Sequence, residues 1–226
     1  MPWMIGSNEK VGDSREDPTT TQPAPQPTRN SDSSNKEKKL KKIKIYIDHP
    51  NFWIGAQGPS RNLYWVYDAL RFLRVLVDHT RFWGADPKCD VTADVYGSAL
   101  WPFRKTWADL GRRVNEFVRS GSNREKEVDT SLVADVVAEA ISDRFHDMET
   151  EFVIVSGDRD MRPAVKKIMD CKFRVYVWSW NWTVSAAYTR LHEEHEARPF
   201  DERLFTLYRL DDFMGRFGYR LLQLAK

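Results

Sequence analysis

At 226 residues the chain has room for one sizeable domain and a tail, since compact domains run to roughly 100–200 residues. Its 41% hydrophobic and 13% aromatic content can build a substantial core, while a formal net charge of +2 excludes a molecule that gathers nucleic acid by bulk charge. Cys89 and Cys171 offer neither a disulfide framework nor zinc-ligand spacing, no apolar run nears the roughly 20 residues that span a bilayer, and the start lacks a secretory pattern; the expectation is an intracellular protein, cytoplasmic or nuclear, with no membrane partner.

Residues 1–40 are poor in apolar groups, and Thr19–Asn35 is dominated by Pro, Thr, Gln and Ser. Such a segment cannot bury enough surface to offset its ordering entropy and reads as a disordered tail. It runs into a lysine cluster, N-K-E-K-K-L-K-K-I-K, which suits a nuclear-import signal, a contact to RNA phosphates, or a solvated hinge. Residues 41–226 read as one domain with a C-terminal extension from about 193.

Ile43, Ile45 and Ile47 alternate with Lys44 and Tyr46, marking a first strand that Asp48 closes. Asn51 follows across a turn that Pro50 helps to fix. Helical periodicity covers Leu63 to Val77, a strand is expected over Val91–Ser98, and a helix from Trp101 to Val118. After a loop at Gly121–Glu125, Leu132, Val133, Val136, Val137, Ala140 and Ile141 share one side of a helix. Asp129 projects within that stripe, whereas Asp135 points away from it toward solvent. The unbroken apolar run Phe152–Val155 suits a strand buried on both faces. A helix over Arg162–Met169, a strand over Phe173–Trp178, a short edge strand at Leu204–Leu210 and a closing helix at Asp212–Leu224 complete the pattern. Alternating strands and helices predict an α/β fold: a Rossmann-like, mainly parallel sheet with helices on both faces.

Open α/β sheets bind ligands at the carboxyl ends of their strands. Asp158 and Asp160 stand two residues apart at one such end and Asp48 at another, with Asp129 aimed at the same rim from its helix. Carboxylates gathered there repel one another unless a cation offsets them. Each acid alone also fits a helix cap or a turn. The assembled candidate set is Asp48, Asn51, Asp129, Asp158 and Asp160.

The segments I-D-x-x-N at Ile47–Asn51, K-x-V-D at Lys126–Asp129 and V-S-G-D-x-D at Val155–Asp160 resemble, in this order and spacing, the NYN domain. This is a branch of the PIN-like nucleases that includes the LabA-like proteins. The resemblance covers roughly Ile43 to His192. It implies a PIN-like sheet and an acidic cluster that binds Mg²⁺ or Mn²⁺ and cleaves RNA, with Asp48, Asn51, Asp129, Asp158 and Asp160 as the matching positions. The family's further acid falls on Asp135, which the helical wheel sets aside. Glu127, Met161 and the His49-Pro50 pair depart from the family pattern without removing a carboxylate.

Under this reading Asp48, Asp129 and Asp158 hold metal directly or through water, Asp160 completes the site or orients the attacking water, and Asn51 steadies Asp48 or a phosphate. Arg159, Arg162 and Lys166 follow the last motif and suit phosphate contacts or a solvated helix face. Trp178, Trp180 and Trp182, with Phe52 and Trp53, suit stacking of single-stranded RNA bases or a plain aromatic core. His192 and His195 lack zinc spacing and are expected to pair with Glu193 and Glu194 at the surface. Two other classes compete: a catalytically inactive NYN-like module that binds RNA or protein, and a haloacid dehalogenase-type phosphatase, disfavoured because Pro50 stands where its second Asp belongs. Homo-oligomer formation is left open.

Overall fold

The computed structural model describes residues 39–58, 65–83, 88–98, 100, 103–117 and 124–220, with the side chains of 124–126 and 220 outside the description. The proline-rich tail expected over 1–40 therefore lies outside the described residues except for its last two positions. Eight strands form in chain order: β1 (Lys41–Asp48), β2 (Trp65–Tyr67), β3 (Asp90–Ser98), β4 (Arg113–Phe117), β5 (Glu149–Val155), β6 (Arg174–Ser179), β7 (Phe205–Arg209) and β8 (Gly218–Arg220). Seven helices join them: α1 (His49–Gln57), α2 (Ala69–Asp78), α3 (Phe103–Asp109), α4 (Arg124–Phe145), α5 (Arg162–Asp170), α6 (Ala186–Glu196) and α7 (Met214–Phe217).

Six strands build one sheet in the order β4-β3-β1-β5-β6-β7, every pairing parallel, so the predicted α/β class holds. The alternation along β1 sorts the layers. Ile43, Ile45 and Ile47 pack with Phe52, Phe72, Leu76, Trp107 and Phe217 on the face covered by α1, α2, α3 and α7. Tyr46, Phe152 and Ile154 point the other way, into Leu132, Val136, Val165 and Tyr188 from α4, α5 and α6. Because β1 lies between β3 and β5, Lys44 is also buried. It bonds Asp143 of α4 at 3.0 Å and pairs with Glu139.

The described lysines of the cluster are tied into the fold. Lys39 pairs with Asp147, Lys42 and Lys44 reach Asp143, and Lys41 lies over the Phe82 ring. Lys41 and Lys42 sit at the amino end of β1, roughly 20 Å of strand away from Asp48, and Lys44 lies midway, roughly 13 Å from it.

Several boundaries differ from the sequence pattern. The turn expected after Asp48 is a helix, α1, capped by Asp48 with Pro50 in its first turn. The helix expected from Leu63 begins only at Ala69, because Trp65–Tyr67 pairs antiparallel with β8 and Asp68 caps α2 by accepting from the Arg71 amide. The single helix expected over Trp101–Val118 ends at Asp109. Gly111, at φ 68°, adopts the left-handed conformation that stops a helix and turns the chain into β4. Ile141, expected in the apolar stripe of α4, is exposed. The expected closing helix is a 3₁₀ turn (Leu210–Phe213) and the four-residue α7, followed by β8; residues 221–224 lie outside the described residues. His195 is buried and accepts from the Leu204 amide at 3.2 Å, and His192 lies 3.4 Å from the Leu207 amide, so both serve β7 rather than a surface pair with Glu193 and Glu194.

Candidate active site

Parallel strands put all their carboxyl ends on one rim, and the α1 turn keeps Asp48 there. The buried Asp48 carboxylate accepts from the Asn51 amide at 3.2 Å through Oδ1 and from the Ser156 hydroxyl at 2.9 Å through Oδ2. The Asn51 side chain reaches the end of β5. Its Oδ1 accepts from the Gly157 amide at 3.0 Å, tying the start of α1 to the end of β5. Asn51 thus joins the two strand ends through its amide and its side chain.

The β5 end is equally constrained. Asp158 accepts from the Asp160 amide at 2.9 Å and caps the 3₁₀ turn Arg159–Met161, while its own amide donates to Ser156 Oγ at 3.2 Å. The Tyr188 hydroxyl holds the Asp158 carbonyl at 3.0 Å. Glycine is required at 157 by close packing: a Cβ there would stand 2.2 Å from Ser179 Oγ and 2.7 Å from the Thr183 carbonyl.

Asp48, Asp129 and Asp158 line one cleft of about 210 Å³, together with Pro50, Asn51, Ile54, Ser98, Val128, Trp182 and Thr183. Asp160 does not line it. It is exposed and lies in an adjoining groove with Thr130, Val133 and Asp129, so Asp129 belongs to both. Arg159, Arg162 and Lys166 are exposed outside the cleft, and Lys166 bonds Asp170 at 2.8 Å. Asp135 is held elsewhere, accepting from the Tyr96 hydroxyl at 2.6 Å beside Arg113.

Electrostatics mark Asp48 as the focus. Burial foremost, then the charges of Asp129 and Asp158, push its carboxyl up to about 7, against the hydrogen bonds from Asn51 and Ser156. A carboxylate in that state has surplus negative potential that a cation would relieve. The donors around it are oxygens only, which suits Mg²⁺ or Mn²⁺ rather than softer ions. Among the described residues no three His, Cys, Asp or Glu side chains converge closely enough to grip an ion alone. Mg²⁺ tolerates such a site, since it usually keeps several waters and takes one or two carboxylates plus substrate phosphate.

The aromatic expectation divides. Trp178 and Trp180 are buried core residues and cannot stack bases, as is Phe52; Trp182 alone of the three tryptophans reaches the cleft. His49, next to Asp48, faces inward and bonds the Tyr67 hydroxyl at 2.9 Å among Phe52, Trp53 and Phe103. Ser156 is the residue that sequence reasoning passed over. Its signal was a hydroxyl placed at the end of a fully apolar strand and two residues before Asp158.

Among the described residues no helix is long and apolar enough to cross a membrane. No curated protein matches the chain. A family model for the NYN domain matches residues 42–194, well over half of the chain, taking in β1 and β5 with all three motifs. The chain belongs to the NYN domain family, a PIN-like, nuclease-type family.

Proposed function

We propose that this protein is a divalent-metal-dependent ribonuclease that hydrolyses RNA phosphodiesters in the cleft at the end of β1. One observation carries the reading: three acids from three separate segments share the cleft, and the most buried of them, Asp48, has its carboxyl pushed up to about 7 by burial first and by the charges of the other two second. Membership of a nuclease-type family supports it.

Asp48, Asp129 and Asp158 would hold Mg²⁺ or Mn²⁺, directly or through water. When bound, the ion supplies a water of lowered pKa and charge to offset the phosphoryl transition state. The protein's own contribution is positioning. The Asn51 amide and the Ser156 hydroxyl fix both oxygens of Asp48, and the Asn51–Gly157 bond keeps Asp158 in register with it. Asp160, one groove away, orients water arriving past Asp129. Arg159 and Arg162, exposed next to Asp160 in the chain, offer charge to phosphates flanking the cleft.

A second reading, a catalytically silent NYN-like module that binds RNA or protein, is favoured by the lack of a closed ligand cluster among the described residues. Incubation with an RNA panel in Mn²⁺ and in chelator separates the two. The ribonuclease cleaves only with the ion and loses cleavage in folded Asp48→Asn and Asp158→Asn proteins. Cleavage that survives both substitutions, or no cation response at all, removes the proposal.

A further inference from the structure

The cleft combines two unlike kinds of lining. Three residues are acidic, and four are apolar: Pro50, Ile54, Val128 and Trp182. Ile54 is 54% exposed and Trp182 45% exposed, although side chains of this size are normally buried. We propose that Trp182, backed by Ile54, is a fixed stacking platform for an unpaired nucleobase, and that it confers selection for single-stranded RNA. The proposal rests on the ribonuclease reading and adds the substrate's form.

Trp182 is locked from behind. Its Nε1–H donates to the Gly55 carbonyl at 2.8 Å, which satisfies the indole's polar edge and leaves the ring to make apolar contacts. The loop beneath it is pinned on both sides. Trp180 Nε1–H donates to the Phe52 carbonyl at 2.8 Å, and the Asn181 amide donates to Asp211 Oδ2 at 2.7 Å. Asp211 lies beyond residue 194, where the family match ends, in the 3₁₀ turn that follows β7. The platform thus belongs to this chain's own C-terminal segment as much as to the shared domain.

The occupant follows from the mixed lining. A nucleotide combines a flat apolar base with a phosphate that a cation can bridge to carboxylates. A base inside a duplex already has both faces stacked, so only an unpaired one can reach the indole. An apolar peptide side chain would fit Trp182 but leaves the acidic lining without a counterpart.

Binding of a phosphorothioate-linked oligoribonucleotide, whose sulfur slows cleavage, tests this by fluorescence anisotropy in Mg²⁺ with the full chain. The probe is used single-stranded and annealed to its complement as a blunt-ended duplex. Trp182→Ala should weaken single-strand binding roughly 5- to 150-fold and leave duplex binding unchanged. Trp182→Phe, which keeps a stacking ring but not the Gly55 bond, should retain most of the affinity. Asp211→Ala should lose affinity in the same direction by a smaller factor. Equal losses for both probes, an unchanged Trp182→Ala protein, or no single-strand binding by the unsubstituted protein overturns the proposal. A parallel assay on unmodified RNA in Mn²⁺ keeps the two ideas apart. Cleavage without a Trp182 binding effect sinks the platform alone, and a Trp182 effect without cleavage sinks the ribonuclease reading alone.

Discussion

Ser156 Oγ donates to Asp48 Oδ2 at 2.9 Å across 108 positions of sequence, joining the end of β5 to the end of β1 at the point where the cleft opens. The same oxygen accepts from the Asp158 amide at 3.2 Å, so one hydroxyl serves two of the three cleft acids. Ser156→Ala removes a donor that lowers the Asp48 pKa, and the carboxyl moves further above about 7. A hydrogen bond to a charged group contributes about 1.5–3 kcal/mol, or about one to two pH units. The acid limb of the cleavage profile should shift upward by about one unit or more while the alkaline plateau persists, and Ser156→Thr should restore it. A profile that does not move separates Ser156 from Asp48.

Asp48 and its neighbour His49 titrate against each other. The Asp48 carboxyl is raised from 3.8 to about 7, so between those values the folded state holds a proton that the unfolded chain has lost, and stability falls as pH rises. Burial lowers His49 from 6.5 to about 4, so there the unfolded chain binds the extra proton and stability falls as pH drops. Over the shared window the two largely cancel. Asp48→Asn exposes the histidine slope: its stability relative to the unsubstituted protein should rise by on the order of 4 kcal/mol from pH 4 to pH 8 without divalent ions. Glu151, also raised by burial, is common to both proteins and drops out of the difference. Urea denaturation at pH 4, 6 and 8 measures it; parallel curves for the two proteins refute the buried-charge account. Added Mn²⁺ should stabilise only the protein that keeps Asp48.

Much of this site was readable from periodicity alone. Apolar runs locate β1 and β5, parallel connection puts their ends on one rim, and the helical wheel places Asp129 over that rim. The wheel misjudged Ile141 because the buried face of α4 is narrower than the apolar stripe: it follows Val128, Leu132, Val136, Ala140 and Asp143 and leaves Ile141 exposed beside it. Local signals failed where a contact from far along the chain decides the outcome. Nothing within Trp65–Tyr67 announces a strand, since its partner β8 lies some 150 residues away. The tryptophans at 178, 180 and 182 look equivalent by spacing, yet β6 carries Trp178 into the core and only the loop beyond it frees Trp182. Gly111 was the exception, a helix stop written plainly in the sequence and overridden by the apolar pattern around it.

Lys44 gives a prediction midway along β1. Its ammonium is buried against Asp143, which also takes the Thr150 hydroxyl at 2.7 Å. Burial lowers the Lys44 pKa, with Asp143 opposing. Asp143→Ala leaves the lysine to the more exposed Glu139 and should cost about 3–5 kcal/mol of unfolding free energy. A Lys44→Met change on that background should recover most of the loss, since a buried pair replaced by apolar groups is often neutral. Cleavage per folded molecule should stay unchanged in both, because the pair sits roughly 13 Å of strand from Asp48 and lines no part of the cleft. A loss below about 1 kcal/mol in Asp143→Ala means that the pair is not needed to hold α4 on the sheet.

Asp135 is the acid whose role the family pattern and the helical wheel dispute, and the two accounts predict different variants. It accepts from Tyr96, a fully buried residue of β3, at 2.6 Å, and lies 3.4 Å from Arg113, which forks onto Asp94 at 2.9 and 2.6 Å. That network clamps α4 to the edge of the sheet six residues past Asp129. As an anchor, Asp135 needs only to accept a hydrogen bond, so Asp135→Asn should keep both cleavage and the cation midpoint. Asp135→Ala strands the Tyr96 hydroxyl and should cost about 1–3 kcal/mol of stability, with weaker cleavage as Asp129 loosens. Asp129→Asn should instead abolish the cation response in a protein that unfolds normally. If Asp135→Asn loses that response as completely as Asp129→Asn, the acid is a ligand and the helix must rotate on metal binding to bring it to the cleft.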